Sequence, residues 1–403
     1  MKPTRLFDTN VPPATERVIL AGLLTGGDDP ELFEIDMKEM RMLCATAGAA
    51  IAETVAQRRD APVASTYLGP GKLLEIRNLM ARHKCRTVVI DAQLSPGQVR
   101  NIEKIVEGKV IDRGQLILDI FARHARTNEA RIQVELAQMK TLYPRLTHAW
   151  THFSQQVGGI GTRGPGEKQL EVDRRLIQKK ISDLNDRLKD IEKSRATQRK
   201  SRASEFKVTL VGYTNVGKSS LLNALSGASV LVENRLFATL DTATRRTFIP
   251  GVGEIVLSDT VGFLRKLPHH LVASFRGTLE VVSRANLLLI VMDAASPWSE
   301  RQLATVNEVL DGLSAGAIPR LLVFNKIDLV ADPVERKRLS LAYPDALFVS
   351  ALSQGDMALV KERIAEVMRN YKKETAILDI IAKKTRELAR EDGPEYGLPW
   401  DRK

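Results

Sequence analysis

Two kinds of apolar spacing divide this chain. Short continuous runs, "RVILAGLLT" at 17–25, "RTVVID" at 86–91 and "ANLLLIVMDAA" at 285–295, read as strands buried on both faces. Around the first two, "LFEIDMKEMRMLCATAG" (32–48) reads as an amphipathic helix ending at Gly48. "YLGPGKLLEIRNLM" (67–80) sets a Gly-Pro-Gly turn ahead of another helix. Residues 1–126 are therefore expected to form an N-terminal α/β domain.

From 127 to 205 the period changes. Leu170, Ile177, Ile181, Leu184, Leu188 and Ile191 follow a heptad-like seam, and Ile132, Leu136, Met139 and Tyr143 repeat it upstream. The intervening "QVGGIGTRGPGEKQ" (156–169) is too rich in glycine for a helix. This predicts two antiparallel helices joined by a long, basic loop. Such a hairpin either joins two domains or reads a partner. The basic side chains Lys193, Arg195, Arg199, Lys200, Arg202 and Lys207 mark a linker. Strand and helix patterns alternate again over 206–371, an expected second α/β domain with a mostly parallel sheet. Residues 372–403 suggest a short amphipathic helix and a polar tail.

The 403 residues suit two or three domains, and 43% hydrophobic with 27% charged content suits a globular protein. Cys44 and Cys85 offer neither a disulfide framework nor metal-ligand spacing. The pair His269–His270 reads as surface or packing rather than as ligands. The opening "MKPTRLFDTN" has no apolar core of a signal peptide, and no apolar run is long enough to span a bilayer. A cytoplasmic monomer without stable membrane insertion is expected, with partial peripheral membrane association as an alternative. The formal charge of +11 favours a polyanionic partner, nucleic acid before membrane.

The chemistry lies in 206–352. "VTLVGYTNVGKSS" (208–220) places G-x-x-x-x-G-K-S between a strand and a helix. Successive N–H groups there face phosphates, Lys218 reaches the β- and γ-phosphates, and the Ser219 hydroxyl ligates Mg²⁺. "LLVFNKID" (321–328) chooses the base: the Asp328 carboxylate accepts from guanine N1–H and N2, whereas adenine offers a lone pair and no amino group. Asn325 supports the N7 and O6 edge, the Lys326 stem packs over the base, and "FVSAL" (348–352) brings Ser350 and the Ala351 N–H to O6. A phosphotransferase reading is disfavoured, because NKID and SAL have no purpose in one.

"LSDTVGF" (257–263) ends a strand at Asp259, a direct or outer-sphere Mg²⁺ partner, with the Gly262 N–H available to the γ-phosphate. In "FATLDTATRR" (237–246), Thr239 would complete the Mg²⁺ shell, with Thr242 as competitor. The residue after Gly262 is Phe263, where many GTPases carry a water-orienting glutamine, so unassisted turnover should be slow. The expected catalytic set is Lys218, Thr239 and Gly262; the metal set is Ser219, Thr239 and Asp259. The expected GTP/GDP contacts run through Gly212, Tyr213, Thr214, Asn215, Val216, Gly217, Lys218, Ser219 and Ser220, then Phe237, Ala238, Thr239, Leu240 and Asp241. They continue through Asp259, Thr260, Val261 and Gly262 to Asn325, Lys326, Asp328, Ser350 and Ala351. Asn215 either seats a K⁺ ion beside the phosphates or merely orders its loop.

These motifs, in the order and spacing of translation-factor-class GTPases, stand with "RIQVELAQMKTLYPRL" (131–146), "GGIGTRGPGEKQLEVDRR" (158–175) and "DTVGFLRKLPHHLVASFRGTLE" (259–280). Together they resemble the HflX family of ribosome-associated GTPases over nearly the whole chain. The resemblance implies binding to the ribosome, its 50S large subunit and rRNA in the GTP form, and the dissociation or rescue of stalled ribosomes. Two positions depart from the family pattern: Asp241-Thr242-Ala243 replaces Asp-Pro-Thr, and Val157 precedes Gly158 where a further glycine is usual. The competing readings are a GTPase for subunit assembly or RNA modification, and a nucleotide-gated binding protein in which hydrolysis matters little.

Overall fold

In a computed structural model the described residues are 16–149, 165–200, 205–227, 236–237, 243–266, 268 and 276–391. The N-terminal unit alternates β1 (Glu16–Thr25), α1 (Pro30–Thr46), β2 (Ala49–Arg59), α2 (Pro70–His83), β3 (Thr87–Ile90), α3 (Pro96–Val106), β4 (Lys109–Asp112) and α4 (Arg113–His124). Its four strands are parallel in the order β2-β1-β3-β4. Proline opens three of the helices, where its fixed φ suits the first turn and its missing N–H costs nothing. Ser95 and Gln98 close a capping box on α3. The expected α/β class holds, and the predicted strands at 17–25 and 86–91 are β1 and β3. Strands β2 and β4 were not anticipated.

Helices α5 (Asn128–Ala149) and α6 (Pro165–Lys200) form the expected hairpin. Ile132, Leu136 and Leu184 are its buried centre, with Met139, Ile181, Leu188 and Ile191 packed around them. Two expectations fail here. Helix α6 begins at Pro165, inside the stretch read as too glycine-rich, because proline at the first turn nucleates rather than breaks a helix. The basic "linker" residues Lys193, Arg195, Arg199 and Lys200 are the last turns of α6, and Lys207 is in a strand; Arg202 lies outside the described residues. Lysine and arginine are good helix formers, so a basic run continues a helix rather than ending it.

The second α/β unit runs β5 (Phe206–Gly212), α7 (Lys218–Ser226), β6 (Thr244–Ile249), β7 (Gly253–Asp259), α8 (Arg276–Ser283), β8 (Leu287–Asp293), α9 (Ser299–Gly312), β9 (Arg320–Asn325), α10 (Pro333–Ala342), β10 (Leu347–Phe348) and α11 (Gln354–Glu391). Its sheet order is β10-β9-β8-β5-β7-β6, parallel except for the β6/β7 pair. Strand β5 lies between β7 and β8, where the order reverses, and ligands of open α/β sheets bind at such a point beyond the strands' C-terminal ends. The short helix expected after 371 is instead the second half of α11, so no break occurs at that position.

The two α/β units share a core. Leu116, Ile117 and Phe121 of α4 belong to the same buried cluster as Val211, Leu236, Phe237 and Leu264. Both cysteines are buried, and burial pushes the Cys44 thiol up to about 12. Among the described residues no helix is long and apolar enough to cross a membrane. His269 and His270 lie outside the described residues.

Candidate nucleotide site

Strand β5 delivers the chain into the loop 212–217, and α7 starts at Lys218. Gly217 takes φ 90°, and a Cβ there would lie 2.3 Å from Asn325 Nδ2, so only glycine fits. Asn215 adopts a left-handed φ of 64°, a conformation that asparagine tolerates better than most side chains. Lys218 is buried, and its Nζ donates to the Tyr213 carbonyl at 2.7 Å and to that of Gly212 at 3.3 Å. Burial pulls its pKa down to about 8, with the Asp259 carboxylate acting in the opposite direction. The Ser219 hydroxyl donates to Asp259 Oδ2 at 2.5 Å, which brings the two expected Mg²⁺ partners together.

The segment after β7 lies directly on this loop. Thr260 Oγ1 donates to the Leu210 carbonyl at 2.8 Å. Phe263 N–H donates to the Gly212 carbonyl at 3.0 Å, and the Phe263 carbonyl accepts from Thr214 N–H at 2.9 Å. Gly262 is pressed against Thr214: a Cβ on it would lie 2.6 Å from the Thr214 Cα. Phe263 is 1% exposed, so its ring fills core and touches no attacking water. Among the described residues the buried Thr214 Oγ1 has no hydrogen-bond partner. An orphan hydroxyl in a loop of convergent donors fits an incoming phosphate oxygen.

The base-selecting motifs are tied to the same loop. Asn325 is buried; its Nδ2 donates to the Val216 carbonyl at 3.0 Å, and its Oδ1 accepts from Ala351 N–H at 3.0 Å. The Ala351 N–H expected at guanine O6 is thus directed at Asn325. Lys326 Nζ donates to the Asn215 carbonyl at 2.8 Å and to Asp293 Oδ2 at 2.7 Å. Asp328 is exposed in the 3-10 turn Ile327–Leu329. Asp356 holds Ser350 in place by accepting its N–H at 2.7 Å.

Other expected contacts lie elsewhere. Ala238, Thr239, Leu240, Asp241 and Thr242 lie outside the described residues, as do Arg163 and the glycine loop at 156–164. The Phe237 side chain turns away from the site and meets Phe121 of α4 edge-on, with centroids 4.7 Å apart, because an aromatic ring gains more from this shared core than from a polar loop. Val216 and Val261 are also buried, leaving only their backbones for a ligand.

Four polar residues of the site's surroundings were missed. Asp293 ends the apolar run of β8 beside the NKID strand, and a carboxylate at the C-terminal end of a parallel strand was a usable signal. Asp356 had no clear signal. Glu39 and Arg113 come from the N-terminal unit and had none. The Tyr213 hydroxyl donates to Glu39 Oε2 at 2.5 Å and accepts from Arg265 N–H at 2.9 Å. Burial, then Glu39, pushes the Tyr213 phenol upward, so it stays a neutral donor. Arg113 donates to Glu39, to Asp91 at 2.8 Å and to the Arg265 carbonyl at 2.8 Å.

Comparison with known proteins agrees with this architecture. Residues 34–122 match a family described as GTP-binding GTPase N-terminal, 124–202 its GTP-binding GTPase Middle Region, and 207–326 a 50S ribosome-binding GTPase. The GTPase HflX of Flavobacterium psychrophilum is 41% identical over 375 residues, 88% of this chain and 91% of that protein. The GTPase HflX of Escherichia coli (strain K12) is 48% identical over 299 residues, 74% of this chain and 70% of that protein. A solved structure described as the SsGBP and GDP complex is 25% identical and covers 88% of this chain and 99% of that one, with a TM-score of 0.48. A phosphate loop at the sheet's switch point, NKID bound to it and SAL bound to NKID, and relatives of this identity over most of the chain lead to one conclusion: the protein is a GTP-binding and GTP-hydrolysing member of the HflX family.

Proposed function

We propose that the GTPase acts on ribosomes, binding the 50S subunit and its rRNA in the GTP form to dissociate or rescue stalled particles in the cytoplasm. The observation that carries this reading is the match of residues 207–326 to a domain described as a 50S ribosome-binding GTPase. The charge of +11 accords with an RNA-rich partner, since cationic side chains displace counterions from phosphates.

The chain's own residues take the following parts. Lys218 and the N–H groups of the loop 212–220 hold the phosphates, and Thr214 supplies a further donor. Gly262 N–H addresses the γ-phosphate, Asp328 the guanine, and Asn325 and Lys326 join base site to phosphate site. Ser219 and Asp259 would hold Mg²⁺, with Thr239 completing the shell. Among the described residues no group of three or more His, Cys, Asp or Glu side chains could hold a metal. This suits Mg²⁺ at a nucleotide, which keeps its waters and needs only one or two protein ligands beside the phosphates. When bound, the ion neutralises charge on the phosphates. Phe263 leaves the water without an orienting side chain, so the partner supplies the missing acceleration, worth about 10³–10⁵ in related systems. Asn215 would seat K⁺ beside the phosphates; equal turnover in K⁺ and Na⁺ removes that role.

Sedimentation with 70S ribosomes, 50S and 30S subunits separates this reading from assembly or RNA-modification roles. A non-hydrolysable GTP analogue should carry the protein into the 50S fraction and reduce the 70S peak, with GDP inactive in both respects. Turnover unaffected by 50S subunits, or binding to 30S alone, overturns the proposal.

A further inference from the structure

The turn after β10 closes the guanine side of the pocket, and its anchor is the first turn of α11. The sheet ladder runs out at Val349, whose N–H donates to the Phe324 carbonyl at 2.8 Å. The next N–H, that of Ser350, lies past the ladder and donates to Asp356 Oδ2 at 2.7 Å. Asp356 is itself fixed in place. Its N–H donates to Ser353 Oγ at 3.3 Å, the Met357 N–H donates to the Ser353 carbonyl at 3.2 Å, and Met357, Val360 and Ile364 are buried in the core. A side-chain acceptor at this position of a helix ordinarily returns to the N–H of the cap residue. Here the Ser353 N–H donates to the Ser350 carbonyl at 2.9 Å, and the Asp356 carboxylate reaches back past it to Ser350.

This bond bears on the base because Ser350 and Ala351 share a peptide plane. The Ala351 N–H and the Ser350 carbonyl belong to one rigid unit and point in opposite directions. With the carbonyl bound by Ser353 and the Ser350 N–H by Asp356, the Ala351 N–H is aimed at the buried Asn325 Oδ1, 3.0 Å away. Asn325 is tied in turn to the phosphate loop through the Val216 carbonyl at 3.0 Å. The turn has little packing of its own: Leu352 is 87% exposed, and its N–H donates to Ser350 Oγ at 3.3 Å. We propose that Asp356 is a positioning residue of the base site: by fixing Ser350 it aims the Ala351 N–H at the purine 6-position and so selects an oxygen acceptor there. Asp328 and Asp356 then divide the base, one reading the N1 and 2-amino edge, the other acting at the 6-position. The proposal rests on the reading that guanine O6 meets the Ala351 N–H, and it names the group that sets that aim.

The test compares the affinities of the full chain for GDP, 6-thio-GDP and inosine diphosphate. Sulfur at the 6-position is a poor acceptor but leaves N1–H and the 2-amino group in place; inosine keeps the oxygen and lacks the 2-amino group. Asp356→Ala should weaken GDP binding about 5–10-fold and 6-thio-GDP binding far less, so the ratio between them falls about fivefold. The GDP-to-inosine-diphosphate ratio, which reports on Asp328, should stay at the wild-type value. Asp356→Asn keeps an oxygen acceptor in the same place and should restore the 6-thio ratio. Asp356→Glu suits a capping box with Ser353, so it keeps the helix folded while drawing the acceptor away from Ser350, and should behave as alanine does. A merely structural role lowers the thermal transition, or all three affinities together, with both ratios unmoved; that result overturns the proposal. An asparagine variant as impaired as alanine also overturns it, because charge at the helix end rather than the hydrogen bond would then be acting. A wild type indifferent to oxygen or sulfur removes the O6 reading and the proposal with it. A wild type that discriminates, beside an alanine variant that does so equally, overturns the role of Asp356 alone.

Discussion

At Lys218, burial and a neighbouring carboxylate pull in opposite directions, and burial wins, setting the pKa at about 8. The unfolded chain keeps that proton to about pH 10.4. Between these values the unfolded state binds more protons, so the nucleotide-free protein gains stability as pH rises through that window, by up to about 1.4 kcal/mol per pH unit. A polyphosphate restores the proton, so above about pH 8 GDP binding takes up a proton and weakens up to tenfold per pH unit. Calorimetry in buffers of different ionisation enthalpy at pH 8.5 should detect that uptake, and a buffer-independent heat excludes it. Asp293 acts on Lys326 in the same local manner. Its Oδ2 holds Nζ at 2.7 Å while Oδ1 accepts from Ala295 N–H at 3.0 Å, fixing the stem proposed to cover the base. Asp293→Asn should weaken GDP binding about 5–10-fold and raise KM for GTP with kcat little changed. Unaltered affinity would remove Asp293 from the site. The phosphate loop and NKID were legible because their chemistry needs fixed residue types at fixed spacing. Asp293, Glu39 and Arg113 act through partners 33, 174 and 152 residues distant in sequence, a separation that no local pattern encodes.

Elements buried on both faces or along one continuous seam were readable; half-exposed ones were not. Strands β1, β3 and β8 are nearly continuous apolar runs, whereas β2, at the edge of its sheet, reads "AAIAETVAQRR" and is mostly half-buried. Strand β6 has the same difficulty, with Arg245, Arg246 and Phe248 exposed on the outer edge. The α5/α6 seam was legible because its apolar positions recur at helical spacing, and Leu184, 1% exposed, sits at its centre. That cluster is separate from the cores of the two α/β units. Leu184→Ala should therefore destabilise the hairpin by about 2–5 kcal/mol, the usual range for a buried leucine. Hydrogen exchange should accelerate in α5 and α6 while GDP affinity stays within twofold of wild type. A fall in GDP affinity would mean that the seam supports the nucleotide site, contrary to the separate packing of the Leu184 cluster.

Across the whole molecule, charge and connectivity point to one division of labour. The two α/β units share a core around Phe121 and Phe237, so a change at the phosphate loop reaches the N-terminal unit through packed side chains rather than through a linker. The hairpin is rooted in this core by Ala130, Val134 and Ala137 of α5, while Leu142, Val172 and Leu176 are exposed along it. Helix α6 exposes Arg174, Arg175 and Lys179, while Lys180 pairs with Glu135 of α5 at 3.0 Å. Arg174 also lies 5.8 Å from the Tyr143 ring centroid, which keeps one guanidinium near the surface of the hairpin. A basic, protruding element beside a GTP-controlled body suits contact with RNA phosphates better than contact with a protein core. If the loop between α5 and α6 and the first turn of α6 make such contacts, replacing Arg163 of the loop and Lys168 of α6 with alanine removes two counterion-releasing groups. The slope of log K against log salt for 50S binding should then fall in magnitude by about 1.4–1.8, with affinity lost most strongly at low salt. GTP affinity and the thermal transition should remain near wild type, since neither side chain belongs to the nucleotide site. A slope that stays at the wild-type value would assign the RNA contacts to the N-terminal unit and leave the hairpin as a spacer.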